Sequence, residues 1–365
     1  MSSSSLPQWH PVVAVPARDE EKRLPILIEA LGRQTWLAAG NGPLPLTIIL
    51  NNCTDASAAV ARAAARRFPA IQLDLVEIDF PAEVAHVGSA RRLAMERALT
   101  TVSDRARVVI LTTDADAAPH PDWIEANLAA IARGADLVGG HLFGDRAEEA
   151  QLGPAVLRRA AMQLRYDRLA DRLASLLDPL PHDPWPRHRD HTGGSLAVRG
   201  DVYCAVGGLP AEPSGEDIAF ASVVRGAGYH LRHAPDVKVT VSARLAGRAP
   251  GGMADCLKEW MRAEADGRPL LVETPASLER RLRQRRLLRQ LGLAGDQAAI
   301  AEAASIVGHP VGLFYAPDGS PLPATRLIEQ LTPEHPDAPP LMHADGAIVD
   351  LELMIAALEG RSVAA

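Results

Sequence analysis

Short apolar runs alternate along the first part of the chain with longer stretches in which apolar residues recur every three or four positions. Residues 11–16 (Pro-Val-Val-Ala-Val-Pro), 46–50 (Leu-Thr-Ile-Ile-Leu), 71–78 and 107–113 are brief and rich in β-branched side chains. Such runs predict strands covered on both faces. Between them, Leu24, Leu27, Ile28 and Leu31 share one face of a helix. The pattern opens that helix at Asp19-Glu20-Glu21, where carboxylates suit the positive end of the helix dipole. Further helices are predicted from the polar turn Asn51-Asn52-Cys53-Thr54-Asp55 to about Phe68, from Gly88 to about Thr101, and from Asp122 to Ala132, with a fifth strand over 136–142. The alternation predicts an α/β fold with a mostly parallel sheet flanked by helices. In such sheets ligands bind beyond the carboxyl ends of the strands, where Arg18, Asp55 and Asp114 all fall.

After residue 150 the pattern changes. Residues 154–177 form one long helix, and 179–192 are a Pro/His-rich loop holding His182, His188 and His191. The histidine spacing matches no common zinc site, so the loop reads as a mobile, substrate-facing segment. A glycine-led strand covers Gly193-Gly194-Ser195-Leu196-Ala197-Val198, a helix runs from Gly215-Glu216-Asp217 to about Gly226, and a strand covers 237–241. Beyond about 266 come a very basic helix (277–291), a Pro-rich connector (316–340) and a last amphipathic helix with Leu351, Leu353, Met354, Ile355 and Leu358. The basic helix reads first as a solvated face and more sharply as a surface for an acidic acceptor or a membrane. The domain reading is a flexible N-terminus over 1–9, a main domain over 10–265 and a mainly helical extension over 266–365. The apolar faces of that extension need cover, from the main domain or from a second copy, as in a homodimer through these helices.

Composition narrows the class. The chain has 365 residues, 47% hydrophobic and 23% charged, enough to bury a sizeable core. Its net charge of -7 gives no footprint for nucleic-acid binding. Cys53, Cys204 and Cys256 are far apart and in no metal-ligand spacing, which fits a reducing cytoplasm. The N-terminal residues do not resemble a signal peptide, and no apolar stretch reaches membrane-spanning length. Abundant Ala, Arg and Pro with few Lys suggest a bacterial, GC-rich genome.

Candidate chemistry centres on Asp114-Ala115-Asp116, directly after the run Val108-Val109-Ile110-Leu111. On extended backbone, positions i and i+2 point to the same side. Two carboxylates so placed repel each other unless a cation sits between them. A hard divalent ion, Mg2+ or Mn2+, suits that position and can also hold a diphosphate. Taken alone, the pair is explained as acidic residues capping a helix after a strand, as Asp122 ahead of Trp123 also suggests.

The order of motifs over residues 10–250 resembles the inverting nucleotide-sugar glycosyltransferases of family 2, which have a GT-A fold. Four blocks carry the likeness: Val15-Pro16-Ala17-Arg18-Asp19-Glu20, with Asp19 where Asn is usual; Asn51-Asn52-Cys53-Thr54-Asp55; Asp114-Ala115-Asp116; and Gly215-Glu216-Asp217. Gly88-Ser89-Ala90-Arg91 is similar to a further family segment. The resemblance implies a UDP- or GDP-sugar donor and an acceptor hydroxyl the sequence does not name. It implies that Pro16, Ala17, Arg18, Glu20 and Asp55 help bind the nucleotide, that Asp116 ligates the metal, and that Asp114 reaches the ribose or the metal's water shell. Arg91, Arg244 and Arg248 are candidate diphosphate clamps, since a guanidinium pairs twice with phosphate oxygens; each is otherwise a surface arginine. By the same resemblance Asp217 takes the acceptor proton and Glu216 binds the acceptor. Gly193 and Gly194 would let backbone approach sugar or phosphate, or else form a bend. Many relatives place a metal-binding His after the following strand. Here that region reads Thr240-Val241-Ser242, with His230 and His233 earlier, so the third ligand stays open.

Three other readings fit the sequence less well. A sugar nucleotidyltransferase wants a Gly-rich loop after the first strand, and residues 16–21 contain no glycine. A Rossmann dehydrogenase needs G-x-G-x-x-G there, which is absent. A non-catalytic nucleotide-binding scaffold on the same fold would be expected to lose its carboxylates, and this chain keeps them in all four blocks.

Overall fold

The structure is a computed structural model that describes residues 9–102, 104, 107–247, 251–291 and 296–363. The N-terminal stretch expected to be flexible lies, Trp9 aside, outside the described residues. Eight strands make one sheet: β1 (His10–Ala17), β2 (Leu44–Asn51), β3 (Ile71–Ile78), β4 (Val108–Thr112), β5 (Ala118–Pro119), β6 (Leu137–Gly144), β7 (Leu196–Arg199) and β8 (Leu231–Val241). Their order is β3-β2-β1-β4-β7-β6-β8-β5. The β1–β2, β2–β3 and β1–β4 pairs are parallel, as the alternation predicts, and β6–β8 is parallel as well. Strand β7 runs antiparallel between β4 and β6, and β5 antiparallel to β8. This reversal matters for the site. It sets Leu196 opposite Thr112, so the glycines that precede β7 meet the carboxyl end of β4.

Chain contacts divide the molecule into two compact units, each made of separated segments. The first holds the chain up to Pro154, Arg189–Ala221 and His230–Arg262. Besides the sheet it contains α1 (Leu24–Gly32), α2 (Thr35–Ala38), α3 (Ser57–Ala65), α4 (Val87–Leu99), α5 (Trp123–Ala132) and α6 (Arg146–Glu149). Its core sets Val13, Val15, Ile48, Val109 and Leu111 of the sheet against Leu24, Leu27, Ile28 and Leu31 of α1 and Trp123 of α5, all fully buried. Each such side chain contributes about 1.5–3 kcal/mol. The apolar face of α1 is the expected one, but the helix starts at Leu24 with Pro25 in its first turn, not at Asp19. Asp19 sits at φ 52, and the acidic side chains at 19–21 bond to other segments instead of capping the helix. Asp122 does stand at the N-cap of α5, yet its side chain accepts no capping hydrogen bond.

The second unit holds Ala155–His188, Ser222–Tyr229 and Ala263–Ala365. Helix α7 (Pro154–Leu177) follows the predicted bounds; of the helices next in the chain, α8 (Gly200–Ala205) belongs to the first unit, and α9 (Glu216–Gly226) and α10 (Met253–Ala265) begin in the first unit and end in the second. The C-terminal segment forms β9 (Leu271–Glu273), α11 (Pro275–Gln290), α12 (Gln297–Val307), α13 (Ala324–Leu331), β10 (Leu341–His343) and α14 (Ala344–Val363). Leu173 and Leu177 of α7 share a core with Leu278 and Leu282 of α11 and Ala347 and Leu351 of α14. The connector expected over 316–340 contains α13, because Leu327 and Ile328 find cover in a second apolar cluster. The basic helix α11 is only partly a solvated face. Arg280, Arg283 and Arg286 are exposed, whereas Arg281 pairs with Glu273, Arg285 with Glu329 at 3.5 Å and Arg289 with Asp178 at 2.9 Å. No helix among the described residues is long and apolar enough to cross a membrane.

Candidate active site

Segments that leave the carboxyl ends of β1, β2 and β4 gather at one end of the sheet of the first unit. After β1 the chain turns through Asp19 in the left-handed region, where Asn and Asp are the favoured non-glycine residues. The Asp in place of the more usual Asn therefore keeps the turn. Asp19 Oδ1 accepts from the Thr54 N–H at 2.7 Å and Glu21 Oε2 from the Ala56 N–H at 3.1 Å. Asp55 Oδ2 accepts from the Glu21 N–H at 3.0 Å and Oδ1 from the Ser57 N–H at 2.9 Å. Burial pushes the Asp55 carboxyl up, but the Ser57 hydroxyl and these N–H groups outweigh it and leave its pKa lowered. Arg18 Nη1 donates to the Ala85 carbonyl at 3.1 Å, and Pro16 and Ala17 are buried at the end of β1.

Asp114 and Asp116 lie beyond the strand, with a turn between them. Strand β4 ends at Thr112, and residues 115–116 form a turn closed by the Ala117 N–H on the Asp114 carbonyl at 3.2 Å. The two carboxylates consequently engage different arginines. Asp114 Oδ1 accepts from Arg91 Nη2 at 2.6 Å, and Asp116 Oδ2 lies 3.1 Å from Arg244 Nη2. Arg244 also bonds both oxygens of Glu20, Nη1 to Oε2 at 2.7 Å. Burial first, then the Asp114 charge, push Asp116 up to about 6 against the pull of Arg244.

Arg91 is the hub. Its side chain is only 2% exposed, and its guanidinium donates to Asp114, to Glu216 Oε1 at 2.9 Å, to Thr112 Oγ1 at 3.0 Å and to the Gly193 carbonyl at 3.0 Å. Burial alone would lower its pKa, but the Asp114 and Glu216 carboxylates hold it above its ordinary value. Gly193 is glycine for a steric reason: an added Cβ would stand 2.1 Å from Arg91 Nη2. Gly194 accepts through its carbonyl from Thr113 Oγ1 at 2.7 Å. The Gly193 N–H donates to Asp217 Oδ2 at 2.6 Å, and Asp217 Oδ1 takes the Ile218 N–H at 2.8 Å. Burial raises the Glu216 carboxyl, and Arg91 pulls it back. Gly88 opens α4 where a Cβ would meet the Glu212 carbonyl at 2.1 Å, so α4 can bring Arg91 in close.

Other sequence expectations are resolved by position. Arg248 lies outside the described residues. His188 and His191 are buried, and His191 Nδ1 faces His233 Nε2 at 3.1 Å, so this part of the loop is not an open, substrate-facing segment. His230 and His233 stand near the start of β8, whereas β5, which follows Asp116, pairs with Val239 and Thr240. From His233 to Thr240 is roughly 23 Å of strand at about 3.3 Å per residue, so neither histidine reaches Asp116. Sequence reasoning missed Arg23 and Glu148. Glu148 pairs with Arg23 and accepts from Ser242 Oγ and the Ala243 N–H, both at 2.8 Å. Nothing local in the sequence marks either, since both act only through distant segments.

Asp116 and Glu20 meet on Arg244, and Asp114 stands on Arg91; the hard oxygen of the partly exposed Asp116 is of the kind that suits Mg2+ or Mn2+. Asp19, Cys53 and Asp55 bring one ligand atom each within 4.8 Å of one another. There burial raises the thiol pKa, and backbone N–H groups already bond both carboxylates.

Residues 12–182 match the family described as Glycosyl transferase family 2. Comparison with curated proteins gives no match. Among solved structures, the mannosyltransferase PcManGT from Pyrobaculum calidifontis in complex with GDP-Man and Mn2+ is 16% identical, with a TM-score of 0.45 over 98% of this chain and 81% of that chain. S. aureus TarS 1-349 in complex with UDP is 12% identical, with a TM-score of 0.46 over 96% of this chain and 92% of that one. M. tuberculosis glucosyl-3-phosphoglycerate synthase in complex with Mg2+ and uridine-diphosphate is 18% identical, with a TM-score of 0.39 over 73% and 85%. Residues 12–182 are thus a glycosyl transferase family 2 domain, and the chain that carries them is a glycosyltransferase.

Proposed function

We propose that the enzyme moves a sugar from a UDP- or GDP-sugar to an acceptor hydroxyl with inversion, in a metal-dependent reaction. The observation that carries this reading is the Arg91 guanidinium. It bonds Asp114 of the aspartate pair at 2.6 Å and Glu216, next to Asp217, at 2.9 Å. Two motifs far apart in sequence, one expected to hold the donor and the other to serve the acceptor, thereby share one buried cation.

Asp116 would hold the divalent ion, with Asp114 at the ribose or at the ion's water shell. Bound there, the ion would neutralise charge building on the leaving diphosphate. Asp55, ionised at neutral pH because its pKa is lowered, accepts a hydrogen bond from the base beside Pro16, Ala17 and Arg18. Arg244, already facing this cluster, meets the diphosphate. The guanidinium of Arg91 is committed to four protein acceptors, so it orients Asp114 and Glu216 rather than gripping phosphate. Asp217 has one N–H on each oxygen, which fixes its plane and leaves lone pairs for the acceptor hydroxyl. It takes that proton as the oxygen attacks the anomeric carbon opposite the leaving group, and Glu216 positions the acceptor.

A screen of nucleotide sugars for acceptor-dependent transfer, with and without chelator, tests the reading. Transfer that needs Mg2+ or Mn2+ and gives the opposite anomer is expected. Full activity in chelator, or retained anomeric configuration, would refute the corresponding half of it.

A further inference from the structure

Arg244 sits where a metal ligand is wanted, and its surroundings explain how it is kept there. It follows β8, whose Thr240 pairs with Ala118 just beyond Asp116. Its guanidinium spans Glu20 and Asp116, which come from different segments, and both Arg244 and Asp116 stay within reach of solvent at 22% and 24% exposure. A clip holds the segment: Glu148 accepts from Ser242 Oγ and the Ala243 N–H and pairs with Arg23 at the start of α1. Glu20 is anchored in turn, its own N–H donating to Ser57 Oγ at 2.8 Å.

We propose that Arg244 is the resident counter-cation of the donor site, holding Asp116 until a divalent metal and a nucleoside diphosphate together displace it. This rests on the reading of Asp116 as the metal ligand. The chemistry is a competition of two cations for one oxygen. A metal arriving alone must take Asp116 Oδ2 from a guanidinium that is then left with Glu20 alone and gains no new anion in exchange, so it binds weakly. A metal arriving with a diphosphate brings phosphate oxygens that the guanidinium can fork onto while it keeps Glu20. The two ligands are then coupled, and by linkage each tightens the other by the same factor. Arg244 would thus delay a charged, metal-loaded site until the donor is present.

The test is Mn2+ binding, read from the paramagnetic resonance of the free ion, with no turnover involved. Wild-type protein should bind Mn2+ weakly alone and roughly 5–150-fold more tightly in saturating UDP or GDP, the usual range of coupling between sites. Arg244→Gln should bind Mn2+ alone about tenfold or more tightly than wild type and lose most of the nucleotide coupling. Glu148→Ala leaves the guanidinium in place but opens the clip. It should shift Mn2+ binding in the same direction, and it carries the test if a melting curve shows Arg244→Gln to be unstable. Equal or weaker Mn2+ binding by these variants, in protein where Asp116→Asn abolishes it, overturns the proposal and leaves the metal reading standing. Unchanged Mn2+ binding by Asp116→Asn overturns the metal reading itself.

Discussion

Removing the Arg91 guanidinium is the sharpest perturbation of the fold and the site together. Arg91→Met keeps the stem and deletes the cation. Asp114 is 39% exposed and can turn to water, so losing that pair costs little. Glu216 is 4% exposed and cannot. Breaking a buried pair by removing one partner costs about 3–5 kcal/mol. With about 2 °C per kcal/mol for a large chain, the melting midpoint at pH 8 should fall by about 6–10 °C. The loss must depend on pH with a definite sign. Burial already raises Glu216, and Arg91 restrains it, so deleting Arg91 raises it further. A carboxyl whose folded pKa lies above its unfolded value lowers stability when ionised, and that loss fades as pH falls through the folded pKa. The gap between wild type and variant should therefore narrow from pH 8 to pH 5, and Arg91→Met combined with Glu216→Gln should recover part of it. Fluorimetric melting curves across that range are the assay. A pH 8 shift under 2 °C, or a gap that widens on acidification, would refute the account of Arg91 as a buried hub.

Three further outcomes follow from the same geometry. Asp116→Asn should lose most metal-dependent transfer while its melting midpoint in chelator stays level or rises at pH 8, because the carboxylate pushed up to about 6 is a net burden when ionised; near pH 4 that gain should vanish. A fall in stability at pH 8 together with normal activity would contradict this. Asp217→Asn should keep nucleotide affinity by calorimetry and lose about 10²–10⁴ in transfer rate, the usual worth of a positioned general base; equal losses in both would make Asp217 a donor ligand. Truncation after residue 265 should give insoluble or strongly destabilised protein, since Leu173 and Leu177 of α7 lose the cover of α11 and α14; a soluble fragment melting like the full chain would contradict the shared core.

Much of the fold was legible because periodicity reports it directly. Strands β1 to β4 and helices α7 and α9 fall within a few residues of their apolar patterns. What was not legible depends on partners. Four residues of β7 carry no sign of direction, so its antiparallel insertion could not be read. Asp19-Glu20-Glu21 look like the acidic start of a helix, and only the tertiary bonds to Thr54, Ala56 and Arg244 show why the helix waits until Leu24. In the site, the spacing of the aspartate pair suggested two carboxylates side by side. The turn at 115–116 instead sends one to Arg91 and the other to Arg244. Arg91 reaches Glu216 across 125 residues and Arg244 reaches Glu20 across 224, distances at which sequence pattern carries no pairing information.

The interleaving of the two units has a consequence for how the chain is made. Helix α7 is complete at Leu177, yet α11 and α14, which cover its buried face, begin at Pro275 and Ala344. About 100 residues must leave the ribosome before the first of them can dock, roughly 5–20 s at 5–20 residues per second. The first unit cannot finish early either, because it needs β8 and the segment up to Arg262. Throughout that interval a nascent chain carries a helix whose apolar face has no partner yet made. A chaperone that shields the apolar face of α7 during synthesis should therefore raise the yield of folded chain.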